Sequence, residues 1–306
     1  MIDFVKFVPL DVNVEKLEKK LDFESVLNEK TGELKLKYVK YRKMTIKVLY
    51  PSQRVEVAGS LHKFYNDLKG IYSPGQSSEK ERAKGFNGND FKYVQLCIAI
   101  NYVSFIIETH PDKCILSNIE FGLNIVHCYV SRYILNNLFR HYGKPFTEPQ
   151  PHYFQAEHGQ YFVKCYDKQN QYGLPHPCIR IEVKHVKMEA LHKEGVHTLA
   201  DLMNKTVLTR LNNVLSIRWQ QVLLYDYTIR ESELNNIQRG WLTDFKNKNF
   251  WNLELKPCEM YRHKERLSEI TANNSERIHA FFTQQIRTAW KDSEQSCITV
   301  DRLFRS

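Results

Sequence analysis

The sequence has no Cys-x-x-Cys pair; its seven cysteines, at 97, 114, 128, 165, 178, 258 and 297, are an odd and scattered set. That spacing excludes a zinc ribbon, argues against a disulfide framework and fits a reducing, cytoplasmic setting. No apolar run approaches the ~20 residues that a membrane-spanning helix needs. The opening Met1-Ile-Asp-Phe-Val-Lys mixes acid and base where a secretory leader carries an apolar stretch, so neither a membrane nor export is expected. Also missing are Gly-x4-Gly-Lys-Ser/Thr, Gly-x-Gly-x-x-Gly, His-Glu-x-x-His and Gly-x-Ser-x-Gly. Nucleotide-driven motors, dinucleotide enzymes and serine hydrolases thereby lose their usual support. Among the 12 histidines no His-hydrophobic-His pair occurs.

What the chain does have is positive charge and apolar content. Lys and Arg total 44 against 35 Asp and Glu, for a formal net charge of +9, and 42% of the residues are hydrophobic. This is enough to bury a core, and 306 residues make one large domain or two. The positive balance favours a polyanionic partner.

Alternating apolar and polar residues predict strands over 2–8, 34–40, 44–49, 54–58 and 115–125. Helical spacing is found over 12–21, 93–109 and 129–140. The stretch 70–90, rich in Gly, Ser, Asn and charge, is too long for a hairpin turn and is expected to be a mobile or functional loop. After about residue 195 the pattern turns helical, at 206–215, 217–227, 231–236, 243–251, 261–270 and 275–291. The expected fold is α+β, a mainly antiparallel sheet with helices on one side over 1–194, followed by an α-helical C-terminal region over 195–306.

The most suggestive stretch, 161–187, reads as two strands joined by a turn. Alternate side chains of a strand share a face. Phe162, Lys164, Tyr166 and Lys168 therefore point one way, and Arg180, Glu182 and Lys184 form a second polar row. A solvated sheet face accounts for such rows, and so does a site that handles phosphate.

Glu56, Glu120 and Glu182 each sit mid-strand between apolar neighbours. A carboxylate buried there without a partner is costly. The partner is a base such as Arg180 or a hard divalent cation, Mg²⁺ or Mn²⁺, and three such acids on strands that can be neighbours favour the metal. Tyr166 adds a phenol with Lys164 and Lys168 at i±2, cations expected to lower its pKa and favour attack on a phosphodiester. His62, His158 and His185 are further candidate ligands, each also readable as an ordinary surface or packed histidine. The hairpin over 34–49, with Lys35, Lys37, Lys40, Arg42, Lys43 and Lys47, is a solvated face or a phosphate contact.

Several segments, in the same order, resemble the replication initiator proteins of filamentous phages and, more distantly, rolling-circle initiators of small plasmids. These are Met1-Ile-Asp, Arg54-Val-Glu-Val, Asn118-Ile-Glu-Phe-Gly-Leu-Asn, Phe162-Val-Lys-Cys-Tyr-Asp-Lys and Cys178-Ile-Arg-Ile-Glu-Val-Lys, the last followed by Gly195-Val-His-Thr-Leu-Ala-Asp-Leu. They span roughly residues 1–203, and the remainder offers no match. The resemblance implies an HUH-endonuclease-like domain that nicks one strand at an origin, stays joined to the 5′ phosphate through tyrosine and later reseals the ends.

Carried over by position, Tyr166 is the nucleophile, Glu120, Glu56 and Glu182 are metal ligands or their supports, and Arg180 and Lys168 steady the phosphate. Two positions depart from the pattern. Asn124 stands where a second Asp is usual, and Gln171 stands where the plasmid proteins place a Glu. Lys164, Lys184, Lys63, Lys43 and Lys47 are then the expected DNA contacts. Origin DNA is the partner, Mg²⁺ or Mn²⁺ the cofactor, and a host helicase a further partner for the C-terminal helices. Two other classes compete: a DNA- or RNA-binding protein that keeps the fold without the chemistry, and an assembly protein whose charge maintains solubility.

Overall fold

The computed structural model describes residues 2–253 and 256–289. Its strands, in chain order, are β1 (Ile2–Pro9), β2 (Glu24–Leu27), β3 (Leu34–Tyr41), β4 (Met44–Leu49), β5 (Arg54–Ser60), β6 (Cys114–Val126), β7 (Leu138–His141), β8 (Lys144–Pro145), β9 (Thr147–Gln150), β10 (Tyr153–Glu157), β11 (Tyr161–Asp167), β12 (Cys178–His185) and β13 (Val222–Leu224). The helices are α1 (Val14–Lys20), α2 (Leu61–Leu68), α3 (Glu79–Arg82), α4 (Tyr93–Ile107), α5 (Ser131–Asn136), α6 (Lys168–Tyr172), α7 (Glu189–His192), α8 (Lys205–Gln220), α9 (Asn236–Phe245), α10 (Pro257–Asn274) and α11 (Ile278–Thr288).

Ten strands form one sheet in the order β2-β3-β4-β5-β1-β6-β12-β11-β10-β9, and β13-β7-β8 form a small second one. Every pairing within the large sheet is antiparallel. β1 is therefore central, with β5 on one edge and β6 on the other.

Period-2 patterning explains the strands. In β4, buried Met44, Ile46 and Val48 alternate with Thr45, exposed Lys47 and Leu49. One face of the sheet carries the core, including Val5, Phe7, Val57, Ile119, Phe121, Val163, Ile181 and Val183. Leu96, Ile100 and Val103 of α4, Leu208, Leu211 and Leu215 of α8, and Phe282 and Ile286 of α11 join that same cluster. The α+β architecture with a helical C-terminal region is as the sequence reading expected. The core runs across residue 195, however, so α8 and α11 complete the cover of the sheet. A smaller cluster of Phe139, Tyr225, Leu242, Phe245, Trp251, Leu267 and Ile270 sits beside it. Among the described residues no helix is long and apolar enough to cross a membrane.

Besides the helices expected at 231–236 and 243–251, which reduce to a 3-10 turn over Glu231–Glu233 and to the end of α9 at Phe245, local patterning misplaced two elements. The helix expected over 129–140 ends at Asn136, and Leu138–His141 forms β7, paired with β13 and β8. The helices expected at 206–215 and 217–227 are one, α8, and Val222–Leu224 is the β13 strand. In both places pairing with a distant segment overrides the local helical spacing, which a periodicity argument cannot detect. The last expected helix is α11; its forecast end at Lys291 lies outside the described residues.

Candidate active site

Strand register builds the site. β11, β12 and β6 are neighbours, and pairing sets Tyr166 opposite Arg180 and Arg180 opposite Asn124. Two residues along, Lys164 faces Glu182 and Glu182 faces Gly122; the next row is Phe162, Lys184 and Glu120. Directly opposed residues project from the same face. The polar rows of three strands thus form a grid on the face turned away from the apolar core.

The grid is tightly bonded. Lys164 Nζ donates to Glu120 Oε2 at 3.0 Å and to Glu182 Oε1 at 3.1 Å. Glu182 Oε2 accepts from the Tyr166 hydroxyl at 2.8 Å and from Arg180 Nε at 2.6 Å. Lys184 Nζ lies 3.0 Å from Glu120 Oε1. Arg180 also donates from Nη1 to Asn124 Oδ1 at 2.9 Å and brings Nη2 to 3.5 Å from Asp3 Oδ2. Asp3 in turn accepts from Asn87 Nδ2 at 2.7 Å and from the Ser60 hydroxyl. Lys168 Nζ donates to Asn87 Oδ1 at 2.6 Å and Gln171 Oε1 at 3.0 Å, beneath the rings of Tyr166 and Tyr172. Asp3, Glu120, Lys164, Tyr166, Lys168 and Glu182 line a cleft of about 430 Å³, with Lys63, His152 and Tyr153 on its walls.

Burial, then the charge of Glu182, pushes the Tyr166 phenol well above its ordinary pKa, against the pull of Arg180. This reverses the expectation from sequence. Lys164 is committed to two carboxylates, and burial followed by the charge of Arg180 pushes Lys168 well below the usual lysine range. Neither flanking cation is free to acidify the phenol. Burial alone would raise Glu182, but Lys164 and Arg180 outweigh it and hold that carboxyl well below its ordinary value. Asp3 is likewise lowered, with Arg180 overcoming burial. Glu120 is raised, by burial and then by the charge of Glu182. At neutral pH the resting arrangement is a protonated phenol donating to an ionised Glu182.

Two substitutable positions shape this arrangement. Asn124 donates its Nδ2 to the Asn87 and Asn89 carbonyls at 3.0 and 3.1 Å, which an Asp could not do. It thereby pins the loop over 85–90 beside the cleft. The loop over 70–90, expected to be mobile or functional, is tied down elsewhere as well: Gln76 Nε2 donates to the Glu81 and Gly85 carbonyls, and Asn89 Oδ1 accepts from Asn66 Nδ2. Gly122 leaves room for Glu182, because a Cβ there would lie 2.4 Å from Glu182 Cβ and 2.3 Å from the Ile181 carbonyl oxygen. Gly122→Ala should cost about 1–3 kcal/mol through forced separation of β6 and β12. Urea unfolding measures this, and a loss under about 0.5 kcal/mol would show that the strands part easily.

Of the residues expected from sequence, Tyr166, Lys168, Arg180, Glu120, Glu182, Lys164 and Lys184 come together. Glu56 does not. β1 separates its strand from β6, and Glu56 instead pairs with Lys6 at 2.9 Å and Arg54 at 3.3 Å. Lys63 lines the cleft and donates to the Lys84 carbonyl. Lys43 is held by Asp67 and the Ala83 carbonyl, and exposed Lys47 lies opposite Glu56 on the open face. His62 is stacked on Phe91, His158 contacts His141, and His185 packs between the Phe121 and Tyr161 rings.

Sequence reasoning missed Asp3 and Asn87. Asp3 carries the same signal as the glutamates, an acid amid apolar strand residues; Asn87, in a loop, carries none. The expected Mg²⁺ or Mn²⁺ finds no matching donor set as the residues stand. Among the described residues no three His, Cys, Asp or Glu side chains are grouped to hold a metal ion. Compared with known proteins, the chain matches no family model, no curated protein and no solved structure.

Proposed function

We propose that the protein nicks and rejoins single-stranded DNA through Tyr166, as a replication initiator of the rolling-circle kind. The observation that carries this is the Tyr166 hydroxyl hydrogen-bonded to the ionised Glu182 in a cleft walled by lysines. Attack of the phenolic oxygen on phosphorus forms the phosphotyrosine bond and breaks the bond to the 3′ oxygen. The phenol proton passes to Glu182, and the departing oxygen takes a proton from solvent. Arg180 keeps Glu182 oriented. Lys40 and Lys47, both exposed, extend positive charge over the open face of the sheet and offer a track for the phosphate backbone. Of the C-terminal helices, α9 and α10, which lie outside the sheet's own core, are then the ones offered to a partner such as a host helicase.

One observation favours a second reading, a DNA- or RNA-binding protein of the same fold without the chemistry: the Tyr166 phenol is held far from its ionised form. A 3′-labelled pool of single-stranded oligonucleotides separates the two. Nicking gives a covalent adduct that disappears in Tyr166→Phe and persists in Tyr161→Phe. An adduct surviving Tyr166→Phe would overturn the assignment. Salt-sensitive binding with no adduct from any strand would favour the second reading.

A further inference from the structure

We infer that the Lys164 ammonium occupies the place a divalent cation takes between two strand carboxylates, and supplies its positive charge, so that strand transfer proceeds without Mg²⁺ or Mn²⁺. This rests on the strand-transfer reading.

The geometry is set by the sheet. Lys164 lies directly opposite Glu182 in the register, and its Nζ sits 3.1 Å from Glu182 and 3.0 Å from Glu120. Only 10% of its side chain is exposed. The other oxygens of the pair are already taken: Glu120 Oε1 by Lys184, and Glu182 Oε2 by Arg180 and the Tyr166 hydroxyl. A hard divalent cation requires about six oxygen ligands, and here the oxygens point at nitrogens. Asp3, the third acid, is likewise bonded to Asn87, Ser60 and Arg180.

Charge leads to the same conclusion. Four carboxylates, Asp3, Glu120, Asp167 and Glu182, face four cations, Lys63, Lys164, Lys184 and Arg180, even with Lys168 left out. The acids are thus already matched by side-chain cations, and a divalent ion would add two uncompensated charges. An ammonium donating hydrogen bonds stabilises developing phosphoryl charge as a point charge does, without an exchangeable ligand shell.

The test titrates Mn²⁺ into the full chain, following free Mn²⁺ by electron paramagnetic resonance, and runs adduct formation in EDTA and in Mn²⁺. Wild-type protein should bind no Mn²⁺ at the cleft and form adduct equally in both. Lys164→Ala should gain a Mn²⁺ site, lose roughly 100-fold in adduct rate in EDTA, and regain part of it with Mn²⁺. Wild-type Mn²⁺ binding that disappears in Glu182→Gln, or wild-type adduct that needs Mn²⁺, would overturn the inference. Those two measurements stand even if Lys164→Ala does not fold. Absence of adduct in every condition would instead sink the strand-transfer reading, while the Mn²⁺ titration would still decide what lies between the two glutamates.

Discussion

Arg180→Met should lose about 3–5 kcal/mol of stability, the expected consequence of breaking a buried ion pair from one side. Arg180 is 1% exposed, among the largest side chains so deeply enclosed. Its guanidinium binds Glu182, Asn124 and Asp3 together, across the three strands β12, β6 and β1. Methionine fills similar space but leaves Asp3 and Glu182, both buried, facing each other with less compensation. Their carboxyl pKa values, now depressed, would then rise. The loss should therefore shrink at acid pH, where protonation removes the uncompensated charge. A compensating change should recover part of the loss: Arg180→Met with Glu182→Leu removes the facing carboxylate, while Asp3 still lacks its guanidinium and Tyr166 its acceptor. Urea unfolding of the three proteins measures this. A single-variant loss below about 1 kcal/mol would mean that the network is structurally idle.

Mild acid should unfold the protein before its carboxylates titrate. Four histidines are buried in the neutral form: burial pushes His62 down to about 3, and His127, His141 and His185 down to about 4. Each is at most 7% exposed. In the unfolded chain these rings take up protons near pH 6.5. Below that pH the unfolded state binds protons that the folded state does not, so stability falls as pH falls.

The contribution is complete above pH 6.5 and is lost towards the folded values. At pH 5 each ring costs about 2 kcal/mol, and four together approach the ~5–15 kcal/mol stability of a typical domain. Glu120, with its raised pKa, opposes this, taking up a proton more readily when folded. Asp3 and Glu182 act in the same direction as the histidines, at lower pH. Melting temperature should thus drop steeply between pH 6.5 and 4.5. His185→Phe, which replaces an imidazole stacked on Phe121 and Tyr161, should flatten that slope and raise stability at pH 5. A melting temperature constant over this range would show that these rings gain protons without opening the fold.

What the sequence disclosed follows from the strand period. Tyr166, Arg180 and Glu182 were legible because alternation assigns a strand residue to a face without knowledge of its neighbours. Which strands adjoin is a different kind of information. Glu56 has the same local signature as Glu120, but β1 lies between their strands, and sheet order leaves no trace in alternation. Asn124 looked like the loss of an acid. Its use is visible only with the loop carbonyls beside it, since donating to them requires an amide. The Tyr166 acidity failed for a related reason. Lysines at i±2 do share its face, but the opposing strands place carboxylates that claim Lys164 first.

The position of β1 also sets an order of events. Synthesis runs from the N-terminus, and contacts between distant residues form slowly. β1 can pair with β5 early, but its other edge stays open until β6 is made, and Asp3 meets no guanidinium until Arg180 follows. A partly made chain therefore exposes the bare edge of what becomes one of the two central strands, a template for wrong pairing. The cleft closes only once β12 is made, so a chain shorter than that has no assembled site.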